Sequence, residues 1–103
     1  METQLAQNNV LLNKLGESGD IANRPRKITH WIFGVDQSKS KLLVAQLKHR
    51  GYIIHMIEAD KIAFYRVGTA ALAEFDNETR AINGLCRELG CLYDGWETEL
   101  VRE

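Results

Sequence analysis

The segment Tyr93-Asp94-Gly95-Trp96-Glu97-Thr98 constrains the fold more than any other stretch. Asp-Gly marks a turn or bulge, because glycine takes positive φ without steric cost and aspartate bonds its own backbone. Such a turn is normally polar on both sides. Here Tyr93 and Trp96 bracket it, so the bend must lie against an apolar surface. Gly90 closes a helix-like run just upstream, and Glu97 to Val101 can be extended. The segment reads as a last strand, entered from a helix and deformed at Gly95. What precedes it must build the sheet that it completes.

The preceding pattern supplies that sheet. Glu2 to Leu15 reads as a helix with Leu5, Leu12 and Leu15 on one stripe, Asn8, Asn9 and Asn13 elsewhere, and Gly16 as its stop. Residues 17–26 form a connector punctuated by Gly19, Asp20, Asn23 and Pro25, with a basic cluster at Arg24, Arg26 and Lys27. Lys27 to Val35 is rich in β-branched and aromatic residues. Strand alternation puts Ile28, His30 and Ile32 on one side and Trp31, Phe33 and Val35 on the other. Both sides are apolar, which predicts a central strand.

A helix follows, capped by Asp36 or Ser38 and running to about Arg50, with Leu43 and Leu47 on its apolar face. Tyr52 to Ala59 and Ile62 to Val67 are two strands joined at Asp60-Lys61, too close for anything but an antiparallel hairpin. Gly68 to Phe75 fits either an edge strand or a turn of helix. A second long helix is expected from Asp76 or Asn77 to about Leu89, where Ile82, Leu85, Cys86 and Leu89 follow helical spacing.

Strand, helix, strand, strand, helix, strand is the order of ferredoxin-like α+β folds, here with an extra N-terminal helix. Right-handed crossovers send both long helices to one face of a four-stranded antiparallel sheet. The N-terminal helix is a candidate cover for part of the other face. One domain is expected, divided as helix 1–16, connector 17–26 and ferredoxin-like unit 27–103. The first and last strands are expected not to touch.

A net charge of −1 lacks the basic excess of a dedicated nucleic-acid binder. No apolar run approaches membrane-spanning length. The first residues lack the basic flank and apolar block of a secretory signal, so a cytoplasmic protein is expected. Cys86 and Cys91 have no second Cys or His pair at zinc-ligand spacing and read as two buried thiols.

Glycine-rich phosphate loops, paired-His metal motifs and nucleophile elbows are all missing from the sequence. No catalytic, cofactor or metal residue is assigned, and an enzyme is not expected. His30 could pair with Asp94 or Glu97 as acid and base, but a hydrogen-bonded structural imidazole is the simpler reading. Tyr65, with Trp31 or Phe33, is the aromatic set that an RNA-binding module of this element order would use, with Arg24, Arg26 and Lys27 as its cations. The glycine and basic pattern of such modules is missing from the third strand.

The stretches Arg26-Lys27-Ile28-Thr29-His30-Trp31-Ile32-Phe33, Gly51-Tyr52, and Gly90-Cys91-Leu92-Tyr93-Asp94-Gly95-Trp96-Glu97-Thr98 resemble the ribonuclease E regulator B family. The resemblance runs from about Leu11 to Leu100. It implies a ferredoxin-like fold with an N-terminal helix, and a non-enzymatic protein that binds and inhibits ribonuclease E. A protein partner is thus expected, and direct RNA binding is the alternative. His30, Trp31, Tyr93, Asp94, Gly95, Trp96 and Glu97 are the expected contact set, acting either as the interface or as the core beneath it.

Overall fold

The computed structural model describes residues 2–17, 19, 24–69 and 71–98. Seven elements follow in order: α1 (Glu2–Glu17), β1 (Arg26–Phe33), α2 (Gln37–His49), β2 (Ile53–Glu58), β3 (Lys61–Gly68), α3 (Leu72–Leu89) and β4 (Leu92–Thr98). The fold is α+β, with one antiparallel sheet in the order β2-β3-β1-β4. The extended reading of residues 99–101 lies outside the described residues.

The sheet order corrects one expectation. The first and last strands are neighbours: His30 lies opposite Trp96, and Thr29 opposite Glu97. The crossover through α3 carries the chain from β3 past β1, so β4 pairs with the edge that β1 still offers.

Cross-strand partners share a face. Ile28, His30 and Ile32 therefore lie with Arg66, Phe64 and Ile62, and all but Arg66 are buried. This side meets the helices. Leu43 and Leu47 of α2, and Ile82, Leu85 and Cys86 of α3, close the main core over Ile32, Phe64 and Tyr93. Each fully buried Leu or Ile contributes about 2 kcal/mol through removal of apolar surface from water. The opposite face carries Lys27, Thr29, Trp31 and Phe33 of β1 beside Val67, Tyr65, Ala63 and Lys61 of β3, and among the described residues no helix packs on it.

Strand alternation predicts Val35 on the same side as Trp31, yet it is buried in the helix-side core. β1 ends at Phe33, and Gly34 takes φ 72°, which breaks the alternation and turns Val35 inward. α2 is capped as read, with Asp36 accepting from the Ser38 N–H at 3.0 Å. The hairpin is also as read, although its two turn residues are Ala59 and Asp60. α3 starts a turn earlier than Asp76. Phe75 is fully buried against Trp96, and helix from Leu72 onward is what delivers it there. The undecided stretch thus divides: Gly68 ends β3, Leu72 to Phe75 open α3, and residue 70 lies outside the described set.

α1 continues through Gly16 to Glu17, and the left-handed residue beyond it is Gly19, whose N–H returns to the Gly16 carbonyl. Its place is also a correction. It docks on α3 and β4, within the helical layer, and leaves the open face bare. The contact stripe is Gln4, Asn8 and Leu12, four apart, with Asn8 buried to 2% exposure. Asn8 donates to Thr79 Oγ1 (2.9 Å) and Asp76 Oδ1 (3.1 Å) and accepts from Trp96 Nε1 (2.6 Å). Gln4 donates to the Tyr93 carbonyl and accepts from Asn83.

Asn8→Ala strands three buried or half-buried partners. It should cost about 2 kcal/mol in urea denaturation. Asn9→Ala and Asn13→Ala, at exposed positions, should stay within about 0.5 kcal/mol of wild type.

Candidate partner-binding site

The closing motif is built around one extra residue. Trp31 pairs with Gly95, and Ile32 pairs with Tyr93, so Asp94 is inserted into the ladder. Gly95 takes φ 104°, a conformation that side chains resist. In a regular strand, residues three apart point to opposite sides. The bulge cancels that alternation and turns both Tyr93 and Trp96 toward the helices.

Each ring then organises one half of the interior. Trp96 stacks on Phe75, with centroids 4.1 Å apart and planes 15° from parallel, beside Ile28 and Leu12. Its indole N–H reaches Asn8. Tyr93 is buried, and its hydroxyl lies 2.7 Å from His30 Nδ1. His30 Nε2 is 3.1 Å from Glu78 Oε2. The same carboxylate oxygen accepts from the Tyr52 hydroxyl, while Oε1 accepts from Arg66. Nε2–H is therefore directed at Glu78, and in the neutral tautomer Nδ1 accepts from Tyr93. His30 also stacks on Phe64, 5.3 Å away at 22°.

This cluster is saturated. Among the described residues, every buried side-chain nitrogen and oxygen has a partner. Burial alone would raise the Glu78 carboxyl, but hydrogen bonds from His30 and Arg66 outweigh it and bring its pKa down from 4.5 to about 2. Burial, reinforced by Glu78, pushes both the Tyr52 and Tyr93 hydroxyls upward. Glu78 is thus a poor base, and His30 is fully enclosed with both nitrogens engaged. A shallow opening of about 470 Å³ beside Tyr52, Arg66 and Glu78 reaches the rim of this cluster. Burial, and then the neighbouring Cys91, push the Cys86 thiol up, so it is a weak nucleophile. Both cysteines are free and buried.

The seven expected contact residues divide between the two sides of the sheet. His30, Tyr93 and Trp96 face the helices. Trp31 and Glu97 face the open side, and Asp94 is exposed at the bulge. Gly95 provides the conformation that separates them. His30 and Glu97 lie on opposite faces, so they form no acid–base pair. The carboxylate that does meet His30 is Glu78, 48 residues away, together with Tyr52 and Arg66. No local pattern marks these three, because helix and hairpin positions are joined only by the fold. Arg26 of the basic cluster is buried, with its guanidinium on the Arg24 carbonyl. Among the described residues, no three His, Cys, Asp or Glu side chains converge to hold a metal ion.

The depressed Glu78 pKa sets a pH dependence. A carboxyl whose folded pKa lies below its unfolded value stabilises the fold above the unfolded value and loses that contribution as pH falls. Stability should drop between about pH 4.5 and pH 2, by on the order of 2 kcal/mol after allowance for solvent screening. Glu78→Gln, followed by denaturation across that range, should flatten the decline. Gly95→Ala should cost about 1 to 2 kcal/mol at neutral pH, because alanine resists the left-handed region.

A family described as Regulator of ribonuclease activity B matches residues 5–98. A search among curated proteins finds no match. The family match begins inside α1 and ends on the last residue of β4, so it takes in Asn8 and Leu12 of the N-terminal helix and the bulged closing motif. The chain belongs to the regulator of ribonuclease activity B family.

Proposed function

We propose that this chain is a non-enzymatic cytoplasmic regulator that binds and inhibits an RNA-cleaving endoribonuclease of the ribonuclease E type, and so modulates RNA turnover. The family match over residues 5–98 carries this reading. The saturated polar cluster supports it, since donors and acceptors spent on one another hold no reacting group in place. Among the described residues, no helix is long and apolar enough to cross a membrane.

The strand order β2-β3-β1-β4, with a helix in each crossover, supports a ferredoxin-like arrangement. On this reading residues 27–103 form the ferredoxin-like unit, residues 1–16 add a docked helix, 17–26 connect them, and all belong to one domain. The ribonuclease contact is the β4 margin: Asp94 projecting at the bulge, Glu97 beside it, and Trp31 on the adjoining strand. His30, Tyr93, Gly95 and Trp96 hold that margin in shape from within. A large aromatic next to charged groups is the chemistry of an interface anchor.

The test is cleavage of an RNA substrate by purified ribonuclease E with increasing amounts of this protein. Wild type should slow cleavage and co-purify with the enzyme. Asp94→Ala with Glu97→Ala should keep stability within about 0.5 kcal/mol and weaken inhibition about tenfold. Trp96→Ala should instead lose about 3 kcal/mol of stability, because it empties the Phe75 stack. Unchanged inhibition by the folded double variant would remove the β4 margin from the interface. A wild-type protein that neither binds nor slows the enzyme would refute the partner.

A further inference from the structure

We propose that the open face of the sheet is a stacking platform for single-stranded RNA, formed by Tyr65, Trp31 and Phe33 with Lys27 and Lys61 at its ends. It goes beyond the ribonuclease contact and shares only Trp31 with it. The register sets the rings out in steps. Tyr65 lies opposite Thr29, Trp31 lies opposite Ala63, and Phe33 follows two residues later on β1. Each ring therefore occupies its own level along the two central strands. Trp31 lies between Ala63 and Gly95, Tyr65 lies between Thr29 and Ile53, and all three rings are half-exposed. Lys27 Nζ sits 4.4 Å from the Tyr65 centroid, and Lys61 Nζ sits 5.3 Å from that of Phe33. The result is a strip of three aromatics with a cation over each terminal ring.

The spacing selects the ligand. Two residues of a strand advance about 6.7 Å, about twice the 3.4 Å rise of stacked nucleotides in a duplex strand. Bases lying on successive levels must be splayed apart, as in a single strand. Aromatic platforms hold such bases whatever their identity, while lysines that rest on rings can turn to the phosphates between them. A shallow depression of about 300 Å³ lined by Lys27, Thr29, Trp31, His55 and Glu97 lies beside the strip. His55, the extra residue where β2 bulges, meets Tyr65 edge-on at 6.3 Å. Glu97 and Glu58, opposite Thr29 and Lys61, carry negative charge at the margins.

The measurement is fluorescence anisotropy of a labelled oligouridylate of about ten nucleotides, titrated with the full chain. Binding should appear at low salt and weaken with a log–log salt slope of about −1.4, the value for two phosphate contacts on a single strand. The double variant Tyr65→Leu, Phe33→Leu keeps apolar bulk on the sheet and should bind at least about tenfold more weakly. Tyr65→Phe keeps the ring and should bind within about twofold of wild type. A duplex of equal length should bind more weakly than the single strand. The proposal is overturned by no binding at low salt, or by unchanged binding of the folded double variant. It is also overturned if the double variant loses ribonuclease inhibition while wild type binds no RNA, since the face would then be a protein contact. RNA binding with no effect on the ribonuclease would uphold the platform and count only against the proposed partner.

Discussion

One inserted residue at Asp94 puts Tyr93 and Trp96 on the same side of the sheet, and much of the interior follows from that placement. Tyr93 anchors the chain of hydrogen bonds that runs through His30 to Glu78 and on to Tyr52 and Arg66. Trp96 fills the gap between β4, Phe75 and α1. A regular strand would point one of the two rings outward. It would leave either the imidazole without its hydroxyl or Asn8 without its indole. Buried polar groups are costly when unpaired, so the bulge decides whether the polar interior is favourable at all.

Much of the architecture was legible because it rests on short-range pattern. Ile28, His30 and Ile32 alternate along β1, Leu43 and Leu47 recur at helical spacing, and the hairpin has almost no linker. The bulge was legible too, since two large aromatics flanking Asp-Gly can both turn inward only where the backbone is deformed between them. The errors have a different origin. Val35 follows the alternation of β1 until Gly34 interrupts it. Asn8 reads as a solvent residue by type, and only the partners brought to it by α3 and β4 make it a buried hub. The meeting of His30 with Glu78 depends on which strand lies beside which, and no local spacing encodes that.

The two sides of the sheet have different chemistry. The helix side spends its polar groups on one another and is held rigid by doing so. The open side keeps aromatic and charged groups turned toward solvent on the two strands with neighbours on both flanks, the least deformable part of a sheet. Recognition is precise when its anchors sit on rigid elements. On the proposed function, a regulator that works by contact needs that division more than it needs a cleft.

The docking of α1 has a thermal consequence. Gln4 and Asn8 attach it through directional amide bonds, and Leu12 adds only a small apolar contact. Hydrophobic association weakens on cooling, whereas hydrogen-bond formation is enthalpic. The N-terminal helix should therefore grip more tightly in the cold, where the apolar core loses driving force, and be the first element to loosen as the molecule warms.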